Sequence, residues 1–302
     1  MERIVRWIKL LILLNITQNS FGQQYFYNEK YYDNDWLIEA GLSGGFMNAF
    51  TDLGGRKGKG APFLKDLQLK NSKAFAGVEI SALYNYQFGI IIQYTHGSVS
   101  AQDSVLRNEK GPEQSRYLRN LHFRSVIREL TMRLEWHFWR SFQDLDNLSP
   151  YLSAGIGYFH FRPKASLGQQ WFDLQPLRTE GQGFAEYSDR SVYSLQQFNL
   201  PLGIGLQYEA SALLHFKIEL ISRILFTDYL DDVSKNYIDH RLYSKYLTPE
   251  QATLAGLLAD RRREVDPGFI GQVGDKRGNP GRNDSFFTIN LKMNLVLNRK
   301  RR

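Results

Sequence analysis

The residues of this 302-residue chain best suited to chemistry fall into three small groups. His96-Gly97-Ser98 sets an imidazole two positions before a hydroxyl, an arrangement in which a base can activate a serine, as some lipid-hydrolysing barrels do. No carboxylate is evidently placed to orient His96, so an ordinary exit from strand to loop is the favoured reading. Asp228, Asp231 and Asp232 could offer oxygen ligands to a hard cation, but their spacing follows no calcium-loop pattern, and a solvated acidic loop is expected. Glu135 and His137 share a strand face, where an ion pair is the simpler reading than a metal site. Catalytic, cofactor-binding and metal-ligating residues are therefore all expected to be absent.

The elements that carry these residues are legible from period-two alternation, the signature of a strand with two unlike faces. Eight segments show it. The fourth is the most diagnostic: Leu130, Met132, Leu134, Trp136 and Phe138 alternate with Glu129, Thr131, Arg133, Glu135 and His137. In the first, Ile38, Ala40, Leu42 and Phe46 oppose Glu39, Gly41, Ser43 and Gly45; in the second, Val78, Ile80, Ala82 and Tyr84 oppose Gly77, Glu79, Ser81 and Asn85. The third sets Ile90, Ile92 and Tyr94 against Gly89, Gln93 and Thr95, and the fifth sets Leu152, Ala154, Ile156 and Tyr158 against Ser153, Gly155 and Gly157. The sixth opposes Leu202, Ile204, Leu206 and Tyr208 to Gly203, Gly205 and Gln207, and the seventh opposes Leu214, Phe216, Ile218 and Leu220 to His215, Lys217, Glu219 and Arg223. In the eighth, Phe287, Ile289, Leu291, Met293 and Leu295 oppose Thr288, Asn290, Lys292 and Asn294.

Alternation alone fits a soluble sandwich as well as a membrane barrel, but the make-up of the polar face separates them. A small barrel turns its apolar face to lipid and must pack its polar face into a narrow lumen, which favours glycine and compensated charge. Glu39, Glu79, Glu129, Glu135 and Glu219 can be matched there by Arg133, Lys217, Arg223 and Lys292, with His137 beside them, giving a plugged interior rather than a pore. Connection lengths agree: short turns near Tyr86, Gln143 and Ala210 alternate with long connections at 48–72, 97–122, 162–196 and 227–282. The expected fold is thus all-β, an eight-stranded antiparallel transmembrane β-barrel with long extracellular loops and short periplasmic turns. Trp36, Tyr84, Tyr86, Phe88, Trp136, Phe138, Tyr151 and Tyr208 would form an interfacial girdle at the periplasmic strand ends. Within the last loop, Thr248-Pro249-Glu250 reads as a helix start before the helix formers of 252–263, so a short surface helix is expected.

Arg3, Arg6 and Lys9, an apolar run at 10–14 and Ser20-Phe21-Gly22 read as a secretory signal peptide over 1–22, too short an apolar stretch for a spanning helix. A periplasmic segment at 23–35, the barrel at 36–297 and a basic tail at 298–302 would follow. The formal charge is +7; the leader holds three basic residues and one acid, so its removal leaves +5, much of it in the tail. No nucleic-acid motif accompanies that tail, and no nucleic-acid partner is expected. With no cysteine, disulfides and thiolate-ligated metals are excluded.

Several segments resemble a known group. They are Pro150-Tyr151-Leu152-Ser153-Ala154-Gly155-Ile156-Gly157; Gln170-Trp171-Phe172-Asp173-Leu174-Gln175-Pro176-Leu177-Arg178-Thr179-Glu180-Gly181-Gln182-Gly183; and Phe226-Thr227-Asp228-Tyr229-Leu230-Asp231-Asp232-Val233-Ser234. With the closing Arg277-Gly278-Asn279-Pro280 and Asn283-Asp284-Ser285-Phe286-Phe287, they are similar to the PorG-like outer-membrane proteins of Bacteroidota. The resemblance implies an outer-membrane barrel without catalytic residues, whose best-known relative belongs to the type IX secretion apparatus and associates with a periplasmic ring of a lipoprotein and a partner subunit. The expectation is a non-enzymatic barrel in outer-membrane lipid that docks envelope partners. Trp171, Asp173 and Arg178 in the loop at 170–183, Asp228, Tyr229, Asp231 and Asp232 in the acidic turn, and the periplasmic turn at 144–147 are its candidate contact surfaces. A hydrolase acting on outer-leaflet lipid through His96 and Ser98 is the alternative.

Overall fold

The computed structural model describes residues 35–54, 71–107, 113–138 and 147–299. The expected signal peptide, all but the last residue of the segment after it, the turn near Gln143 and the end of the basic tail lie outside the described residues.

Among the described residues nine strands form, eight of them in one closed ring. They are β1 (Trp36–Phe50), β2 (Lys73–Tyr84), β3 (Phe88–Gln102), β4 (His122–Trp136), β5 (Leu148–Leu167), β6 (Gln170–Asp173), β7 (Gln196–Ser211), β8 (Leu214–Leu225) and β9 (Ser285–Val296). Every pairing is antiparallel; β1 pairs with β9 and β4 with β5, which closes the ring, while β6 pairs only with β5 outside it. A path of direct cross-strand neighbours leaving β1 at Trp36 runs through Tyr84, Phe88, Trp136, Leu152, Ile204, Leu220 and Ile289 and rejoins β1 at Phe46, ten residues on. Eight strands with that stagger tilt by about 40° and leave an interior that side chains alone can fill.

The turns carry the required chemistry. Three residues, 85–87, join β2 to β3, so Asn85, expected on the polar face of the strand, belongs to the turn; Asn85 and Tyr86 take positive φ, 46° and 56°, and the Gln87 amide donates to the Tyr84 carbonyl at 2.9 Å to close it. The β7–β8 connection is two residues long, with a register shift at Glu209/Ser211.

Two strands outrun their expected ends. β3 continues past Gly97 to Gln102, and β5 continues past Arg162 to Leu167, where Gly168 at φ 61° turns the chain back as β6. The extension of β5 is held because Phe161 and Ala165 keep the inward alternation going and bury their side chains above the membrane.

Outward, the wall is apolar: Leu42, Phe46, Ile80, Leu134, Ile156, Ile204 and Leu291 are each more than half exposed. Inward, Glu39, Glu129, Arg133, Lys217, Arg223, Lys292 and Asn294 are each no more than 2% exposed. Water would invert this pattern. A closed ring leaves no edge carbonyls or amides unpaired in hydrocarbon, so the protein is a bacterial outer-membrane β-barrel. Trp36, Tyr84, Phe88, Trp136 and Tyr208 lie exposed at the strand ends near the short turns. Tyr151, expected in the same girdle, does not. Its parity matches Ser153, and it is fully buried in the lumen, stacked at 5.1 Å on His137.

The long connections fold over the other mouth as a cap with its own core of Leu174, Leu177, Phe184, Ile238, Tyr243 and Leu258. Helices α1 (Glu113–Arg119), α2 (Tyr243–Tyr246), α3 (Pro249–Ala259) and α4 (Arg262–Val265) belong to it. The Thr248 side chain accepts from the Gln251 amide and the Gln251 side chain accepts from the Thr248 amide, a reciprocal cap that starts α3. Leu258 and Ala259 on its far turn are buried, so the helix is a structural wall of the cap.

Candidate functional site

The lumen is layered. At the periplasmic mouth Leu37, Leu83 and Val296 form a small apolar seal. Above it lies a continuous polar network. His215 Nδ1 lies 2.5 Å from Glu39 Oε1, and Asn294 donates to both Glu39 and Glu79 at 3.0 and 2.9 Å. Lys217 bridges Glu39 at 3.4 Å and Glu135 at 3.2 Å, with His137 3.6 Å from Glu135 and 2.8 Å from Ser149. At mid-depth Lys292 lies 2.7 Å from both Glu79 and Glu219, while Arg133 reaches Glu219 at 2.5 Å, Ser153 at 2.8 Å and Gln93 at 2.9 Å. Higher still, Arg223 forks onto Glu129 and donates to Thr288 at 2.6 Å. Five glutamates thus face four cations and two histidines with almost no exposed polar surface. The glycines of β7 make room: a Cβ on Gly203 would collide with Ser153 and Glu219, and one on Gly205 with the Tyr151 ring.

Above Arg223 the lumen turns apolar. Met47, Ile127, Phe159, Phe161 and Phe286 pack as one cluster that runs on into the cap through Leu230 and Val233. Among the described residues, these polar and apolar layers fill the lumen from one end to the other with buried side chains.

The cap is tied by buried arginines. Arg277 pairs with Glu180 at 2.8 Å and donates to the Asp232 carbonyl at 2.6 Å and the Ala259 carbonyl at 3.2 Å. Glu180 also accepts the Ser234 and Lys235 amides at 3.0 Å each, so one carboxylate closes two chain segments. Arg119 forks onto Asp103 and donates to the Arg277 carbonyl at 2.6 Å, linking α1 to the same point. Asp232 accepts from Tyr193 at 2.6 Å and from Thr179. The segments at 170–183, 226–234 and 277–280, far apart in the chain, meet here.

The candidate contact residues divide. Trp171 is 46% exposed and sits edge-on to His122; Asp173 is half-buried and pairs with Arg162 at 2.5 Å; Arg178 is half-buried in a left-handed conformation. These three reach the cap surface. Asp231 and Asp232 correct the expectation of a solvated acidic turn, since both are fully buried, Asp228 is nearly so, and Tyr229 stacks on Tyr193 at 4.7 Å. Leu230 and Val233 insert into the apolar layer on either side and draw the turn in with them. Asp231 spends its oxygens on the Leu53 and Val233 amides. Asn147 is the described part of the periplasmic turn at 144–147.

Burial raises Asp228 to about 7 and Asp232 to about 6, the latter despite Arg277. Burial, then the charges of Asp52 and Asp228, lifts Asp231 well above the usual carboxylate range, and burial, then the charges of Asp231, Asp228 and Asp52, does the same to Asp284. Carboxyls raised in the folded state bind protons there that the unfolded chain has released, so cap stability falls as pH rises from about 4 towards 7. Hydrogen exchange of the amides at 229–233, corrected for intrinsic rate, should show local opening easier at pH 8 than at pH 5 by on the order of 2 kcal/mol. Flat or rising protection across that range would contradict the buried acid cluster. Among the described residues no group of three or more histidines and carboxylates is arranged to hold a metal ion.

His96 lies exposed on the outer wall of β3 between Ala76 and Arg128, with Ser98 two positions on and 9% exposed. The two share a face, and neither hydrogen-bonds to a carboxylate among the described residues. Sequence reasoning placed His215, Asn294 and Gln93 on the polar face of their strands but left them out of the charge network, and it singled out none of Arg119, Glu180, Arg190 and Arg277 in the cap. The lumenal three were marked by parity alone, whereas Glu180 and Arg277, 97 residues apart, carried no pattern that joins them.

No protein-family model matches the chain, and no characterised protein matches it in sequence. Among solved structures it is similar to Ail, the attachment invasion locus protein of Yersinia pestis, in complex with the heparin analogue sucrose octasulfate, at 10% identity over 87% of this chain and 97% of that one, with a TM-score of 0.35. It is similar to Neisserial surface protein A at 10% identity over 87% and 98%, TM-score 0.35. To the outer membrane protein OprG from Pseudomonas aeruginosa it shows 11% identity over 87% and 96%, TM-score 0.33. Likenesses this distant add nothing to the fold, which rests on the chain's own register and burial.

Proposed function

We propose that this outer-membrane barrel is non-enzymatic and works as an anchor and docking platform for envelope partners, as an accessory component of type IX protein secretion. The observation that carries this reading is the filled lumen beneath the cap: apolar layers at both ends with ion pairs between them favour a barrel that works through its rims. The resemblance to PorG-like proteins supplies the partner, a periplasmic ring of a lipoprotein and its partner subunit. That ring would meet the short turns, near Tyr86 and Asn147, while Trp171, Asp173 and Arg178 would face partners outside the cell.

The test is site-specific photocrosslinking in native envelopes with the probe placed at Tyr86 or at Trp171, followed by mass spectrometry. Recovery of ring components from the Tyr86 position is expected. Recovery of the barrel alone from both positions would remove the docking reading.

A further inference from the structure

The outward wall changes character in one sector only. On β4 the lipid-facing series Trp136, Leu134, Met132, Leu130 is followed by Arg128 and, past half-buried Val126, by Arg124; all but Val126 are exposed. On β5 the series Leu152, Ala154, Ile156, Tyr158 is followed by His160, Arg162 and Lys164. Register sets these side by side: Arg128 opposite His160 and, on its other flank, His96; Val126 opposite Arg162; Arg124 opposite Lys164. The outward positions of the other six barrel strands carry no Asp, Glu, Lys or Arg.

Like charges directly opposite one another on a sheet are destabilising, and four cations here share two neighbouring strands. Asp173 is the carboxylate that answers them among the described residues. It takes Arg162 at 2.5 Å and Lys164 at 3.4 Å, and Arg124 and Arg128 form no ion pair among the described residues. A cleft of about 220 Å³ opens beside them, with His160, Arg162 and Gln175 on its walls. The row just below is Tyr94, Leu130, Tyr158 and Phe198, an aromatic edge of the kind that marks the boundary between hydrocarbon and headgroups. This basic cluster, in which Asp173 answers Arg162 and Lys164 but not Arg124 or Arg128, lies immediately above that edge on the side of the long loops, at headgroup depth in the outer leaflet.

We propose that this sector, centred on Arg124, Arg128 and Arg162, binds the phosphate of a phosphorylated glycolipid of the outer leaflet, whose acyl chains lie along the apolar wall of β3–β5. Guanidinium groups present paired donors that match phosphate oxygens, and the Tyr94 and Tyr158 rings pack the sugar-to-acyl junction. The inference rests on the barrel's placement in the outer membrane and is independent of the docking role.

The full-length protein in neutral-lipid nanodiscs is titrated with purified lipid A and with its enzymatically dephosphorylated form. Wild-type protein should prefer the phosphorylated form, and Arg124→Gln/Arg128→Gln should lose about 25-fold in affinity for it, about fivefold per cation near an anionic headgroup. Arg241→Gln on the cap, where Arg241 is 90% exposed, serves as a control for loss of a surface cation away from the sector and should change nothing. Heat-modifiable migration on gels checks that each variant is folded. Equal affinity of wild type and the double variant for lipid A, or of wild type for both lipid forms, overturns the proposal.

Discussion

Replacing Arg277 by Met is expected to open the cap while leaving the barrel folded. Its guanidinium is 2% exposed and joins Glu180, the Asp232 carbonyl and the Ala259 carbonyl, so one side chain holds the segments after β6, β8 and α3 together. Removing one partner of a buried pair strands the other charge, at a cost of about 3–5 kcal/mol. Glu180 would keep two backbone amides as donors but lose its counter-ion in a site that water does not reach. Limited proteolysis in detergent should then cut within 226–284, where the wild type resists, with the heat-modifiable shift of the barrel unchanged. Glu180→Gln, which keeps an acceptor for the Ser234 and Lys235 amides, should be milder. A wild-type digestion pattern from Arg277→Met would show that the cap is held by its apolar core alone.

The second large effect belongs to the lumen. Glu219 is the anion shared by Arg133 at 2.5 Å and Lys292 at 2.7 Å, and all three side chains have no exposed surface. Glu219→Leu therefore leaves two cations short of one counter-ion in a medium of low dielectric, and about 3–5 kcal/mol of barrel stability should be lost. The readout is the temperature at which the folded gel mobility is lost, which should fall clearly below that of wild type. Arg133→Met/Glu219→Leu removes the pair together, and most of the loss should be recovered, because Lys292 keeps Glu79. Cations stranded by the single change would explain that asymmetry. If single and double variants melted alike, the network would be packing filler and its charges incidental.

These expectations draw on residues that the chain announced unequally. The lumenal glutamates and their cations lie on strict alternation, so parity alone sends Glu129, Arg133, Glu135, Lys217 and Glu219 to one face. Tyr151 was misassigned because its place near a strand end resembled a girdle position, although its parity with Ser153 already pointed inward. His215 shares a face with Lys217 by the same rule. Partnership was another matter: that Lys292 lies between Glu79 and Glu219, or that Asn294 joins Glu39 to Glu79, depends on which strands are neighbours and on a ten-residue stagger.

The acidic turn marks the limit most clearly. Three aspartates in five residues look like a solvated loop, yet Leu230 and Val233 pull them into the barrel mouth, where amides and Arg277 receive them. Period-two patterning is a local property of each strand, so the sequence by itself determined that the protein is a membrane barrel, which face of each strand meets lipid, and where the long and short connections fall. Ion pairing, the apolar seals, the arginine-bound cap and the basic sector beside the lipid are non-local. They were decided only by the tertiary structure, because closure and stagger choose which distant residues share a level, and a burial that depends on those neighbours cannot be read from spacing along the chain.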